Sequence, residues 1–366
     1  MSEFNIKKQI KILYTTGVLR NLSITGAWVA LLSVRGFSLW QIGIAETVFH
    51  ITSLIFEIPS GVLADVYGRK KMLLISNIMA AIGDVIMIFS TNLPTVCLSI
   101  AFHALCYNFT SGSGDALAYD SLKLVGREEK YEKYASDQSI IYRVTSGIST
   151  LCAGLALLIG YRIAYLTSAV TQLVAFMVTL LLKEVRAGEN STDEKPEAGD
   201  SRALTMGESL LFLKKNPKAT ALMFLNSFVG AIDILLLFFL QSNLKGAGIS
   251  DFLLGPALFF MEMGGVIGSK LILKAEHYKY AKVFIICSFG VFSGVLLEHT
   301  GIWMLMTLGG FISAMADDAI QIRTDRKLQD MFPSDQRATL ISISSFTFSM
   351  IMIILSPLAG WFFERW

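Results

Sequence analysis

Long runs of apolar residues recur along almost the whole chain and are separated by short polar stretches. A helix needs about 20 mainly apolar residues to cross the hydrocarbon core of a bilayer. Breaking the runs at charged clusters and turn residues predicts helices at residues 10–33, 40–63, 72–90, 94–122, 135–158, 161–182, 218–241, 251–273, 281–298, 302–323 and 338–363. The pattern therefore predicts an all-α integral membrane protein with 11 spans, six before and five after a polar segment.

The composition excludes several classes of protein. Of the residues, 53% are hydrophobic and 16% are charged, against about 25% charged in soluble domains, so a soluble enzyme is not expected. A net charge of +2 offers no large basic surface for nucleic acid. The chain lacks a Walker-type loop, a His-rich metal cluster and a nucleophile–base set, so we expect no cofactor, no metal and no enzymatic activity. The four cysteines lie in apolar runs and are interpreted as packing residues.

Lysine and arginine positions predict the orientation in the membrane. With the N-terminus inside, 25 of the 31 Lys and Arg residues fall in inside segments and 4 in outside segments. Cytoplasmic loops of membrane proteins carry this excess of basic residues. We therefore expect the N-terminus inside and, after an odd number of spans, the C-terminus at Trp366 outside.

The two sets of spans repeat each other. The segment around Glu57 resembles that around Glu262, and Asp115-Ala-Leu matches Asp318-Ala-Ile at nearly the same offset. Two like-oriented halves joined by an inside linker are typical of transporters that bind substrate between the halves. The predicted organisation is a six-helix half at 1–182, a cytoplasmic linker with an interfacial helix at 183–217, and a five-helix half at 218–366.

One motif follows the second span. The segment Gly61-Val-Leu-Ala-Asp65-Val-Tyr-Gly68-Arg69-Lys-Lys resembles the signature of the major facilitator superfamily, and its glycines favour close helix approach and a tight turn. The resemblance implies that Asp65 faces the N-terminus of span eleven and that Arg69 pairs with an acidic group, for which Asp120 is the candidate. These residues would form a gate, the alternative being that the basic residues only set topology.

The segments around Phe56–Gly61 and Ser111–Asp120 are similar to a bacterial branch of drug and macrolide exporters within this superfamily. The arginine-bearing motif usual in span four of proton-coupled members and the proline of the antiporter motif in span five are absent. Both departures weigh against proton antiport, although not against transport. The resemblance also implies a twelfth span, so we expect a shortened natural or engineered chain or, alternatively, two helices merged in the prediction.

Charged residues inside spans are candidates for substrate or proton binding, because each costs at least about 2.5 kcal/mol at mid-membrane. Arg20 in span one and Asp233 in span seven occupy similar places in the two halves. Spans one and seven line the central cavity of the family that the motif resembles, which predicts that these two residues form a charge pair or a substrate contact there. The alternative is that each pairs within its own half.

Further candidates lie in spans two, four, five, eight and ten. Glu46 and His50 share one helix face, and Glu57 follows on the same span. Asp115 and Arg143 are predicted to form a structural pair. The remaining carboxylates that could carry a proton are Glu262 and Asp318, with Asp233 the leading candidate.

The sequence thus favours a secondary transporter of the bacterial cytoplasmic membrane that works by alternating access. The predicted function is proton-driven export of amphipathic small molecules by a monomer in the lipid bilayer. An uptake permease, a lipid flippase or a membrane sensor or scaffold that does not transport remain alternatives.

Overall fold

The computed structural model describes residues 4–185, 208, 211–275, 277–332 and 337–365. No strand occurs in these ranges. The helices before the linker are α1 (Ile6–Asn21), α2 (Trp28–Val34), α3 (Leu39–Tyr67), α4 (Arg69–Phe89), α5 (Leu93–Thr110), α6 (Ser113–Lys123), α7 (Tyr131–Leu151), α8 (Ala153–Ile159) and α9 (Tyr161–Leu180). Those after it are α10 (Pro217–Gly246), α11 (Asp251–Lys274), α12 (Tyr280–Glu298), α13 (Trp303–Met331) and α14 (Arg337–Arg365).

Three predicted spans are divided into two helices each. Residues 22–27 separate α1 from α2, and Cys152 separates α7 from α8. The break between α5 and α6 falls at Gly112, whose φ of +73° interrupts the helical path. A helix cannot continue through a left-handed residue, and the long apolar run concealed this break in the sequence.

By length and composition, eight helical segments of the described residues qualify as membrane spans, with α5 and α6 together (Leu93–Lys123) counted as one, or nine if α7 and α8 together form one bent span. The predicted first span is absent from this set, since neither α1 nor α2 has 18 residues. The predicted tenth span is also absent from this set. It lies within α13 and contains the charged residues Asp317, Asp318 and Arg323. The total of 11 spans stays a prediction.

The chain divides into two compact units. Unit 1 comprises Met1–Leu31 and Ile44–Asp193, and unit 2 comprises Leu32–Gly43 and Glu194–Trp366. These units differ from the predicted halves in the segment Leu32–Gly43. Within unit 2, Gly43 lies against the backbone of Ser356 and Pro357 on α14, and the absence of a side chain permits this contact.

The core of unit 1 lies where α1, α4, α6 and α7 meet the residues that follow α9. It contains Ile12, Leu13, Leu73, Leu117, Ala118, Tyr134, Leu182 and Val185. The segment 183–185 is therefore packed on unit 1. The predicted interfacial helix of the linker lies largely outside the described residues.

In unit 2, α13 packs against α10, α11 and α12. Small residues make the α11–α13 contact close: Gly264 lies against the carbonyl of Phe311, and Gly268 against that of Met315. This Gly-x-x-x-Gly spacing allows backbones to approach in membrane helices. This packing role of the two glycines was not predicted from the sequence.

Candidate functional site

The turn between α3 and α4 is the central part of the predicted gating motif. Gly68 has a φ of +100°, which only glycine adopts readily. The carboxylate of Glu184 accepts hydrogen bonds from the backbone amides of Arg69 and Lys70 at 2.9 and 3.0 Å. Glu184 thus caps the first turn of α4, where free amides and the helix dipole favour a negative charge.

The Arg69 side chain extends from this turn to α6. Its Nη1 forms an ion pair with Asp120 and donates a hydrogen bond to the carbonyl of Ala116 at 2.8 Å. Asp120 is 5% exposed, whereas Arg69 is 25% exposed. The structure therefore brings together the two residues that the family resemblance paired.

The other two motif positions have different surroundings. A Cβ added at Gly61 would meet no described atom within 4 Å, so the predicted close helix approach at Gly61 is absent from the described contacts. The side chain of Asp65 lies outside the described part of the structure. A contact of Asp65 with span eleven stays a prediction.

A cluster of acidic residues lies in unit 2 on α10, α12 and α13. Asp317, Asp318 and Glu298 are within electrostatic range of Asp233. Asp317 is 1% exposed and Glu298 3%. One carboxylate oxygen of each of Asp233, Asp317 and Glu298 is buried without a hydrogen-bond partner among the described residues.

Two polar side chains support this cluster, which we call the acidic cluster. Gln321 Nε2 donates a hydrogen bond to Asp317 Oδ2, and the Ser313 hydroxyl donates one to Glu298 Oε1 at 3.3 Å. The carboxylate of Asp318 lies against Gly265 of α11, and Glu262, also on α11, is partly buried. The arrangement places several carboxyl groups in one part of unit 2.

Arg20 has its neighbours in unit 1. Cys106, Tyr134 and Asp115 lie within electrostatic range of its guanidinium group, and its backbone carbonyl accepts a hydrogen bond from Gln172 at 3.3 Å. The predicted pairing of Arg20 with Asp233 stays a prediction. Each residue has charged or polar neighbours in its own unit.

The predicted Asp115–Arg143 pair is not formed among the described residues. Both side chains are exposed, so neither is forced to find a partner by burial. Asp115 instead lies near Arg20. The pair was predicted because both residues lie in the inner thirds of spans four and five, where pairing would neutralise both charges. The sequence contains no information on the direction in which either side chain points.

Two contacts between a histidine and an acid occur in unit 1. His50 Nε2 lies 3.3 Å from Glu46 Oε1 on the same face of α3, in keeping with their spacing, and Glu57 is exposed further along that helix. His103 Nε2 on α5 lies 3.4 Å from Asp84 Oδ1 on α4. Asp84 is 1% exposed, and the sequence had given it no partner.

Sequence reasoning also missed Glu184, Glu298 and Gln321. Glu184 lies in a polar segment that was interpreted as linker, and Glu298 lies at the end of a predicted span. The available signal for Glu298 was a single carboxylate adjoining a long apolar run. Among the described residues, no group of three or more His, Cys, Asp or Glu side chains has the arrangement of a metal site.

Comparison with known proteins places these features in a family. The family model of the Major Facilitator Superfamily matches residues 13–315. An uncharacterized MFS-type transporter of Bacillus subtilis strain 168, YxaM, is 22% identical over 347 residues, with 92% of this chain and 84% of the relative covered. The class H tetracycline resistance protein of Pasteurella multocida is 22% identical over 318 residues, with 83% and 76% covered.

Solved structures agree on the fold. The nucleoside transporter NupG superposes with a TM-score of 0.71 at 17% identity, covering 99% of this chain and 92% of that one. A D-xylose–proton symporter superposes with a TM-score of 0.72 at 12% identity, covering 96% and 89%. With the family model matching most of its length, this chain belongs to the major facilitator superfamily of transporters.

Proposed function

We propose that this protein is a secondary active exporter of amphipathic small molecules, driven by protons and working by alternating access. The observation that carries the proton coupling is the acidic cluster of unit 2. Asp233 and Asp317 each have a buried oxygen without a hydrogen-bond partner among the described residues, and they lie within electrostatic range of each other.

Physical chemistry links this geometry to proton binding. A buried ionised carboxylate without hydrogen bonds is costly, and a neighbouring carboxylate adds repulsion. Binding one proton relieves both costs. Membrane carboxylates facing a bundle interior commonly belong to ion or proton pathways. Asp233 is the proposed proton carrier, with Asp318 and Glu262 as the further candidates.

Export is proposed from two observations. The tetracycline resistance protein of Pasteurella multocida is a relative, and the segments around Glu57 and Asp120 are similar to those of drug exporters. The proposed substrate is an amphipathic cation or polar drug. A cation would replace the proton at Asp233 without leaving the carboxylate unpaired.

Transport in proteoliposomes with an imposed pH gradient tests the proposal. A panel of amphipathic drugs that includes tetracycline would be assayed by substrate flux and by an internal pH indicator. We expect flux coupled to proton movement in the wild type, and loss of the pH dependence in Asp233→Asn. Asp251→Asn is the matched control, because Asp251 is a carboxylate of the same unit that already pairs with Lys245.

Two results would argue against this function. Gradient-driven flux that keeps its pH dependence in Asp233→Asn would remove Asp233 from the coupling. Accumulation of the same drugs inside vesicles whose outside is more acidic than their inside would indicate proton-coupled uptake instead of export.

The gate is a second part of the proposal. Asp65 is proposed to stabilise the outward-facing state through the first amides of α14, because helix N-termini bind negative charge. Arg69 and Asp120 would hold the α3–α4 turn in position. Asp65→Asn should shift the protein toward the inward-facing state, as measured by spin-label distances between inside loops. Glu128→Gln, a neutralised acid on another inside loop, should leave those distances unchanged.

The orientation belongs to the same proposal. We place the protein in the bacterial cytoplasmic membrane with an inside N-terminus, because basic residues are concentrated in alternate loops. Single-cysteine variants at Lys133 and Arg162 should react with impermeant maleimide from opposite sides of oriented vesicles. Labelling of both from one side would refute the assigned topology.

A further inference from the structure

A crevice of about 510 Å³ lies between α11, α12 and α13 in unit 2. Its inner wall is formed by buried apolar residues, among them Ile272, Val283, Cys287, Ala316 and Ala319. Small residues, Gly268 on α11 and Gly290 on α12, also line it. Gly268 lies against the carbonyl of Met315 and Gly290 lies near Ala316, so both glycines bring their helices close to α13 at the base of the crevice.

The rim of the crevice is apolar and exposed. Leu271, Ile286 and Phe289 line it and are 49%, 58% and 72% exposed. In a membrane-spanning protein, exposed side chains of this kind at membrane depth contact lipid. The crevice is thus suited to a hydrocarbon chain that enters from the bilayer.

One end of the crevice is basic. Tyr278 lines that end, and the Lys282 ammonium group lies 4.3 Å from the centre of its ring. Arg323 donates a hydrogen bond to the carbonyl of Tyr278 at 2.9 Å. Lys279, the N-cap residue of α12, and Lys282 are both exposed. This is the inside end of α12 under the assigned topology.

We propose that the crevice is a binding site for one anionic phospholipid. An acyl chain lies along the apolar wall beside Cys287 and Ser293, and the phosphate group lies against Lys279 and Lys282. Basic pockets between helices on the cytoplasmic side are suited to anionic headgroups. Charge complementarity selects a phospholipid with a net negative charge over a zwitterionic lipid of the same chain length. The crevice borders the acidic cluster, because Cys287 lies within electrostatic range of Asp317, but the proposal does not depend on the proposed transport reaction.

Native mass spectrometry of the detergent-purified full chain tests the site. The probes are phosphatidylglycerol and phosphatidylcholine with identical acyl chains, titrated at equal concentrations. We expect one phosphatidylglycerol to be retained in preference to phosphatidylcholine. Replacing both lysines, as Lys279→Gln with Lys282→Gln, should weaken phosphatidylglycerol binding by roughly 30-fold, since each basic residue near a membrane surface contributes roughly fivefold.

Two further variants locate the lipid. Lys214→Gln with Lys215→Gln removes the same charge from exposed positions on a different helical segment, before α10, and binding should be kept. Ser293→Phe fills the crevice while losing only a hydrogen bond to its own helix, and it should reduce retention of the lipid with all lysines present. Circular dichroism and thermal melting would check that each variant is folded.

Three results would overturn the proposal. Equal retention of the two lipids would mean that the crevice, if occupied, takes any amphiphile. An equal loss of binding in the Lys214 and Lys215 control would mean that overall charge is responsible. Undiminished retention in a folded Ser293→Phe variant would place the lipid elsewhere on the protein.

Discussion

The carboxylate of Glu184 occupies the space that a side chain at Gly68 would need. A Cβ added at Gly68 would lie 2.5 Å from Glu184 Oε2, while that carboxylate caps the first turn of α4. The second glycine of the family motif therefore has two functions here. It adopts a backbone conformation with positive φ, and it leaves room for the acid that follows α9.

Gly68→Ala should destabilise the protein more than the same change at another glycine with positive φ. Gly160 has a φ of +85° and a ψ of 151°, close to the +100° and 148° of Gly68, with nothing within 4 Å of an added Cβ, so Gly160→Ala reports backbone strain alone, about 1–3 kcal/mol. Gly68→Ala adds the collision with Glu184. Thermal melting in detergent compares the two variants. Equal losses would show that the contact with Glu184 has no energetic importance.

Only part of this arrangement was predictable from the sequence. The motif predicted a tight turn at Gly68 and an acidic partner for Arg69, because both follow from short patterns. Glu184 lies 115 residues from Arg69 in the chain, and no local pattern connects them. The helix breaks at Gly112 and Cys152 were concealed for a similar reason, since apolar composition continues through them and hydropathy does not report φ.

The Arg69–Asp120 ion pair should respond unequally to removal of its two members. Asp120 is 5% exposed and Arg69 25%, so Arg69→Gln leaves a buried carboxylate without its partner, at a cost of about 3–5 kcal/mol. Asp120→Asn leaves a more exposed guanidinium group that keeps its hydrogen bond to Ala116 and should cost less.

Chemical or thermal unfolding of both variants and of the double variant measures this difference. The double variant should be more stable than Arg69→Gln alone, because no charge is then left buried. A larger loss in Asp120→Asn than in Arg69→Gln would contradict the assigned burial of the pair.

Packing of α11 on α13 should depend on Gly264 and Gly268. An added Cβ at either position would overlap a carbonyl oxygen of α13, so each change to Ala forces the two backbones apart, at about 1–3 kcal/mol. Gly246→Ala is the control, because Gly246 ends α10 and an added Cβ meets nothing within 4 Å. The control should be as stable as the wild type or slightly more so, since Ala favours the helix by about 1 kcal/mol. Thermal melting that fails to separate the control from Gly264→Ala would argue against close packing.

The acidic cluster of unit 2 marks a different limit of sequence reasoning. Asp233 and Asp318 were recognised as charges inside spans, and hydropathy is sufficient for that. Their grouping with Glu298 and Asp317 depends on which faces of α10, α12 and α13 meet. A pattern along one helix does not contain that information, and pairing across two halves was predicted for Asp233 because internal symmetry was the only spatial guide available.

Asp84 and His103 should show energetic coupling across the α4–α5 contact. Asp84 is 1% exposed, neither of its oxygens accepts a hydrogen bond from a described residue, and His103 Nε2 lies 3.4 Å away. His103→Gln removes the group that can balance this buried negative charge, and Asp84→Asn removes the charge itself. The loss of stability in His103→Gln should therefore be largely recovered when Asp84→Asn is added.

A double-mutant cycle measured by unfolding should give a coupling of about 0.5–3 kcal/mol, the range for residues in contact. Both His103→Gln and Asp84→Asn introduce an uncharged side chain of nearly the same size, so a cavity would not produce this coupling. Additive losses would mean that the two side chains are neighbours without an electrostatic interaction, and that Asp84 is neutralised by some other route.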